Sequence, residues 1–371
     1  MAQPFDVCIR GGGVVGRTLA LLLARQSLRV GLVAPTGQTP AGADVRAYAL
    51  NAASRALLES LRCWPDAPHA TPVLAMDVWG DDGGAVRFDA LEQGVDALAW
   101  IADVPALEHG LTQAIRYQPQ IDVLEAPAAA TLTVVCEGKA SATRAELGVT
   151  FEVTPYAQRA IAARLTCEKP HAQTARQWFS QGNILALLPL DGADGNSVAL
   201  VWSVEETRAE ALMALDAAAF GEAVGQASQH TPGPLHLSSE RSAWPLQLAQ
   251  VDRWVGSAGG KAWALAGDAA HTVHPLAGQG LNLGLADAAE LAQVLQQRDY
   301  WRSVADMRLL RRYERSRKAA AAALGLATDG LQQLFAAGEG PLQKLRNWGM
   351  SGFANSGPLK SWVARQAMGL R

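Results

Sequence analysis

The stretch from Gly267 to Gly284, GDAAHTVHPLAGQGLNLG, gathers residue types that can bind and do chemistry. Asp268 follows Trp263–Ala266, a short apolar run that reads as a buried strand. Its carboxylate is therefore presented at a strand end, where it can accept hydrogen bonds from a polyol. A loop follows with Pro275, Gly278 and Gly280, and then a long apolar helix over Leu281–Leu295. The first turn of a helix has N–H groups without intrahelical partners and carries the positive end of the helix dipole. Gly278, Gln279, Gly280, Leu281 and Asn282 would thus face an electron-rich or anionic ligand edge. A bare carboxylate at an apolar strand end is costly, which favours a binding role for Asp268 over a purely structural one. His271 and His274 read first as packing or capping groups of the loop, with proton transfer as the second reading.

A second constellation sits at the start of the chain. Gly11-x-Gly13-x-x-Gly16 lies between the strand Phe5–Arg10 and an apolar helix from Val14 to about Gln26, with Arg29–Val33 as the next strand. In such a β-α-β unit Gly11 permits a tight turn and Gly13 lets the backbone approach a pyrophosphate. Gly16 lets helix and strand pack closely, and Val14 and Val15 open a helix whose N-terminus faces the anion. The alternative is a plain glycine-rich turn. One part of the dinucleotide pattern is absent. The second strand ends in Ala34, where an acidic residue ordinarily binds the ribose, and the nearest acid is Asp44.

These loops need a scaffold. The remaining pattern predicts a helix over Arg46–Leu61, a hairpin from Val73–Trp79 and Ala85–Phe88, a helix over Ala106–Ile115 and a strand over Thr131–Cys136. Residues 149 to 204 carry strand patterns at Ala160–Leu165, Arg176–Phe179, Asn183–Leu188 and Ser197–Trp202, an antiparallel sheet separate from the first unit. Residues 205 to 228 read as one alanine-rich helix, and Trp301 to about Leu326 as one basic helical segment. The fold expected is α/β: a Rossmann-like nucleotide-binding domain from 1–72, 97–150 and 257–300, an inserted antiparallel-sheet substrate domain from 73–96 and 151–256, and a C-terminal helical region over 301–371.

Composition narrows the function classes. Thirty-two basic and 35 acidic residues give a net charge of −3, with no dense basic block, so nucleic acid is not an expected partner. The four cysteines, Cys8, Cys63, Cys136 and Cys167, form no CxxC pair, so neither zinc nor a disulfide framework is expected. No secretory signal and no apolar run of roughly 20 residues is visible. The expected location is the cytoplasm. From Gly340 to Arg371 the tail lacks acidic residues and mixes Lys344, Arg346, Lys360, Arg365 and Arg371 with Trp348, Met350, Phe353, Trp362 and Met368. Such a tail can rest on an anionic inner-membrane face, or pack on the body or a partner.

The motifs carry a resemblance. GDAAHTVHPLAGQGLNLGLAD resembles the second FAD motif of the flavoprotein hydroxylases of ubiquinone biosynthesis, within the wider para-hydroxybenzoate hydroxylase-like class. Asp44 to Arg55, Tyr156 to Ile161, Glu168 to Phe179 and Leu187-Leu188-Pro189-Leu190 are similar to further stretches of that family. So are Arg312 to Lys318, Thr328 to Leu331 and Ala367-Met368-Gly369, so the likeness covers nearly the whole chain. The resemblance implies an FAD-dependent monooxygenase in which NAD(P)H reduces the flavin, O₂ adds as a C4a-hydroperoxide, and oxygen passes to the ring of a polyprenylated phenol. The cofactor carries the hard chemistry. Gly267, Asp268, Pro275 and Gly278 to Asn282 would surround the flavin, with no acid–base residue assigned. Gly11, Gly13, Val14, Val15, Gly16, Arg46, Leu107, Glu137 and Gly138 would hold the rest of FAD. Other ubiquinone-biosynthesis proteins are expected partners.

Several positions depart from the family pattern. Its middle motif, Gly-Ala-Asp-Gly-x-x-Ser-x-x-Arg, is here Val135-Cys136-Glu137-Gly138-Lys139-Ala140-Ser141-Ala142-Thr143-Arg144. The triplet Val-Glu-Asn is Ala102-Asp103-Val104, and the segment between Leu107 and Glu137 is short. Together with Ala34 these changes leave a second reading open, an FAD-fold accessory subunit of weakened activity. A third, another FAD enzyme of the superfamily such as a reductase or halogenase, ranks lowest because no halogenase lysine motif is apparent.

Overall fold

The computed structural model describes residues 5–34, 44–80, 84–272 and 279–336, with side chains through 322. In chain order the first elements are β1 (Phe5–Arg10), α1 (Val14–Ala24), β2 (Val30–Val33), β3 (Ala47–Leu50), α2 (Ala52–Ser60), β4 (Ala70–Val73), β5 (Ala75–Trp79), β6 (Ala85–Asp89), β7 (Ala99–Asp103) and α3 (Val104–Arg116). Then come β8 (Ile121–Leu124), β9 (Ala130–Val135), α4 (Ala142–Glu146), β10 (Phe151–Cys167), β11 (Thr174–Ser180), β12 (Asn183–Pro189), β13 (Ser197–Glu205), α5 (Glu206–Ala214) and α6 (Ala217–Ala227). The last are β14 (Leu235–Leu237), β15 (Ser242–Val251), β16 (Val255–Ala258), β17 (Lys261–Leu265), β18 (His271–Thr272), α7 (Gln279–Gln296) and α8 (Met307–Ala336).

Three sheets result. The first has the order β16-β17-β9-β1-β2-β8, parallel except for β16. Its central strands are buried, as VGLV of β2 with all four residues buried illustrates, while the edge strands β8 and β16 are partly exposed. Helices α1 and α7 pack together over it, and the core joins Val7, Ile9, Leu19, Leu23, Leu132, Val134, Ala264, Leu285 and Leu291. The second sheet runs β18-β15-β10-β13-β12-β11-β5-β6, with β14 paired to β10. The third is the small antiparallel set β3-β7-β4. The fold is thus an α/β nucleotide-binding unit with a large antiparallel sheet and C-terminal helices.

The large sheet has two unlike faces, as period-2 alternation requires. Trp178, Leu185 and Trp202 stand in one transverse row with Ile161 and pack with Phe220 and Val224 of α6. Ala175, Leu190 and Ala199 point the other way and pack on Val73, Leu98 and Ile101, toward the three-stranded sheet. This seam joins the large sheet to the nucleotide-binding unit.

Four sequence expectations are corrected. Residues 46–61 are not one helix: Ala47–Leu50 forms β3 against β7, and helix begins only where Asn51 accepts a hydrogen bond from the Ser54 N–H (2.9 Å). Residues 205–228 form two helices, because the Asp216 carboxylate accepts from the Ala219 N–H and starts a second one. Residues 301–306 are not helical; Arg302 there bridges Asp299 and Asp306, and α8 starts at Met307. The strands β15 and β16 were not anticipated, since Ser242–Val251 mixes Pro245 and two glutamines into its apolar positions.

Candidate functional site

Two loop ends converge beside the parallel sheet. The first is the β1–α1 turn. Gly11 has φ +120°, and a Cβ on it would lie 2.3 Å from the Cys136 carbonyl oxygen of the neighbouring strand end. A Cβ on Gly16 would lie 1.9 Å from the Gly11 carbonyl oxygen, so α1 can approach its own entry turn only with glycine there. Gly13 meets nothing within 4 Å. It is the N-cap of α1 and makes no side-chain cap, so no side chain covers the helix entrance there. Gly11 and Gly16 are thus required by close backbone approaches, and Gly13 leaves open space at the helix entrance.

The second is the end of β17. Gly267 turns the chain with φ +64°, and Asp268 follows in a single 3₁₀ turn. No described residue donates a hydrogen bond to the partly buried Asp268 carboxylate. Burial pushes its pKa up, the charges of Lys139 and His271 pull it down only partly, and Asp287 adds to the rise. A carboxylate held this way, partly buried at a strand end and without a donor among the described residues, fits a polyhydroxyl ligand that would supply donors. Beside it the first turn of α7 is partly exposed at Gln279, Gly280 and Leu281, and a Cβ on Gly280 would meet nothing within 4 Å. Val15 of α1 packs against both Gly267 and Gly284 of α7, so the two loop ends are locked at a crossing of small residues. Pro275 and Gly278, with His274, lie outside the described residues.

The other expected site residues fall into distinct surroundings. Asn282 is buried and its side chain is fully used. Its Oδ1 accepts from the Asn51 N–H (3.0 Å) and the Ser54 hydroxyl (2.7 Å), while its Nδ2 donates to the Ala49 carbonyl (2.8 Å). The side chain thus ties α7 to the β3–α2 junction, and only the backbone of Asn282 is left for a ligand. Val14 and Leu107 are buried in the core, Leu107 completely. Arg46 makes a forked pair with Asp44, at 2.9 and 2.7 Å through Nε and Nη2. That hydrogen bonding raises the Arg46 pKa against the opposing effect of burial, while Arg46 holds Asp44 low against the same effect.

Glu137 contrasts with Asp268. Its carboxylate accepts from the Ser141 hydroxyl (2.7 Å), the Thr143 N–H (3.1 Å) and the Thr143 hydroxyl, and it faces Arg10 Nε at 3.2 Å. Burial would raise its pKa, but the bonds from Thr143 and Ser141 outweigh that and hold it low. The longer acid is therefore absorbed into the start of α4. Gly138 follows with φ +78° and open space where a side chain would be. Arg144 of the same motif is buried, donates to the carbonyls of Ala269 (3.1 Å) and Lys139 (2.8 Å), and stacks 3.6 Å over the Phe151 ring. It braces the loop that carries Asp268. Ala34 lies against Gly12, and its N–H donates to the Leu124 carbonyl.

Three functional groups were not foreseen. Asp103, at the end of β7, takes Arg164 of β10 at 2.6 Å and His69 at 3.1 Å, an ionic link between the large sheet and the nucleotide-binding unit. Tyr48 is largely buried near Arg46 and Asp268, and burial raises its pKa. Asp287 is fully buried and binds His271 (2.7 Å), Arg317 (2.6 Å) and the Gly267 N–H (2.9 Å). All three lie in stretches the sequence singles out, but only Asp287 carries a signal of burial: it is a charged residue at the helical spacing of Leu283, Gly284 and Leu291, on the face that must be buried.

An FAD-sized ligand suits this arrangement, with an open glycine turn at one helix entrance and an orphan carboxylate at the other. The comparisons agree. Residues 114–327 match the family model described as an FAD binding domain. The chain is 29% identical over 399 residues to the 3-demethoxyubiquinol 3-hydroxylase of Escherichia coli, covering 99% of both chains. It is 29% identical to the ubiquinone hydroxylase UbiL of Rhodospirillum rubrum, covering 98% of this chain and 89% of that one. Among solved structures, p-nitrophenol 4-monooxygenase PnpA from Pseudomonas putida superposes with a TM-score of 0.78 over the full length of both chains at 17% identity, a likeness of fold. The chain belongs to the FAD-binding monooxygenase family. Its full-length relatives include ubiquinone hydroxylases.

Proposed function

We propose that this protein is an FAD-dependent monooxygenase that hydroxylates the aromatic ring of a polyprenylated phenol in ubiquinone biosynthesis. NAD(P)H is the electron donor and O₂ the co-substrate. The observation that carries the reading is the Asp268 carboxylate, without a donor among the described residues, beside the first turn of α7, where Gly280 has open space around it. The near full-length likeness to a demethoxyubiquinol hydroxylase supports the substrate class.

The chain's own residues have separable tasks. Gly11, Gly13 and Gly16 let the α1 N-terminus receive a pyrophosphate, and Gly138 leaves room beside it. Asp268 accepts hydrogen bonds from the ribityl hydroxyls. The backbone N–H groups at the start of α7 favour the edge of the isoalloxazine on which negative charge gathers when it is reduced. FAD, when bound, supplies the redox and oxygen-activating chemistry. The apolar seam of Ala175, Leu190, Ala199, Leu98 and Ile101 keeps water away from the region where the two sheets meet. The Asp103–Arg164 pair holds that seam closed from the side. No general acid or base is required of the chain for ring hydroxylation.

The test is purification with FAD followed by turnover. The reading expects a yellow protein whose NAD(P)H oxidation rises with a prenylated phenol and yields the ring-hydroxylated product. A protein that stays colourless with excess FAD would instead favour the accessory-subunit reading. Profiling quinone intermediates in a deletion strain then names the ring position, because the accumulated precursor lacks the missing hydroxyl.

A further inference from the structure

The C-terminal helix is bolted to the turn that presents Asp268. Asp287 of α7 is 0% exposed, a placement that a carboxylate tolerates only when nearly all its lone pairs are used. Its Oδ2 accepts from the Gly267 N–H at 2.9 Å and from His271 Nε2 at 2.7 Å, and its Oδ1 accepts from Arg317 Nε of α8 at 2.6 Å. Arg317 also donates to the Leu283 carbonyl (3.3 Å) in the second turn of α7. His271 is buried and stacks on Trp254, with ring centroids 4.8 Å apart and planes 16° apart. One helical turn before Arg317, the Tyr313 hydroxyl donates to the Leu265 carbonyl (2.8 Å), and Glu314 accepts from the Trp254 N–H (2.8 Å).

The targets of these bonds are not scattered through the core. They fall on Leu265, Gly267 and His271, which bracket Asp268, on the second turn of α7, and on Trp254, whose ring stacks on His271. From this geometry we infer that Asp287 and Arg317 are positioning residues for flavin binding, and that α8 sets the place of Asp268 through them. The inference rests on the FAD reading of the site. The left-handed backbone at Gly267 is held by a charge-assisted bond to Asp287, and that carboxylate stays ionised because Arg317 and His271 surround it. Burial alone would raise the Asp287 pKa; His271 and Arg317 together hold it low. Without Arg317 the buried carboxylate would depend on His271 alone, and the Gly267 turn would lose its fixed acceptor.

The experiment separates positioning from stapling. In the full chain, Asp287→Leu with Arg317→Met replaces the ion pair by apolar groups of similar volume, a change that buried pairs often tolerate in stability. Arg317→Lys keeps the charge with one fewer fixed donor. FAD affinity of each apoprotein is read by flavin fluorescence, and each apoprotein melt is recorded beside it. The inference expects the double variant to melt cooperatively near wild type yet bind FAD at least 10-fold more weakly, with Arg317→Lys returning to within about threefold of wild type. A folded double variant that binds FAD as tightly as wild type overturns the inference while leaving the FAD reading intact. If the double variant does not fold, Asp287→Asn carries the test: a weaker FAD complex supports the inference and unchanged affinity overturns it. A wild-type protein that binds no FAD would bring down the FAD reading itself, and this inference with it.

Discussion

Two strand ends of the parallel sheet treat the carboxylates that follow them in opposite ways. At the β9 end, Glu137 is wrapped by Ser141, Thr143 and Arg10, and its pKa is held low. At the β17 end, Asp268 has no donor among the described residues, and its pKa is raised by burial. Folding alone accounts for the first, since Glu137 accepts from the Thr143 N–H in the first turn of α4 and from its N-cap Ser141. It does not account for the second, a partly buried carboxylate that takes no hydrogen bond from any described residue. Such a group suits a place where a ligand supplies the donors. The difference separates a residue that resembles a cofactor ligand by position from one that is left free to be one.

The comparison can be broken or sharpened by measurement, beginning where the largest effect is expected. Asp268→Ala should weaken FAD binding by about 100-fold, the loss of two charge-assisted hydrogen bonds of about 1.5 kcal/mol each, read by isothermal titration of the apoprotein. A change below threefold would put Asp268 in the same class as Glu137. Arg164→Met should leave FAD affinity within about threefold but cut turnover at least 10-fold, because it frees the large sheet from Asp103 without touching the glycine turn or Asp268. An equal loss of FAD affinity would show that the seam and the cofactor cleft are not separable.

The pH dependence of the apoprotein gives a third test. The folded pKa of Asp268 lies above its unfolded value, so the folded state binds more protons and stability falls as pH rises through that window. Asp268→Asn should remove this slope and raise the apoprotein Tm by about 2 °C above the window, while weakening FAD binding. Tm against pH from about 4 upward for both apoproteins checks it, and identical slopes would contradict the assignment. Glu137→Gln should show the smallest effect. FAD affinity should stay within about threefold and stability should drop by about 1 kcal/mol, as the α4 start and the Arg10 pairing weaken. Urea unfolding beside FAD titration reads both.

Much of this was legible from residue order. Strand–glycine turn–helix at Gly11 to Gly16 and strand–Asp–helix at Gly267 to Asn282 are local patterns, and local patterns survive in a sequence. What was hidden was non-local. Whether an acid is satisfied depends on partners far along the chain: Arg10 for Glu137, and Arg317 for Asp287. Asn282 looked like a cofactor contact by its place in the motif, yet its amide is used by Ala49, Asn51 and Ser54, more than 200 residues earlier. Arg46–Leu61 read as helix from its leucine spacing, but pairing with β7 turns its first residues into strand, a tertiary effect that overrides the pattern. The Asp103–Arg164 link left no sequence trace, because neither residue lies in a motif that names the other.

The structure of the FAD-loaded protein tests the central claim most directly. The account predicts the Asp268 carboxylate within hydrogen-bonding distance of a ribityl hydroxyl, the pyrophosphate at Gly13, and the isoalloxazine edge against the first turn of α7. An FAD whose ribityl chain passes Asp268 by, leaving that carboxylate as unsatisfied as it is now, would contradict it.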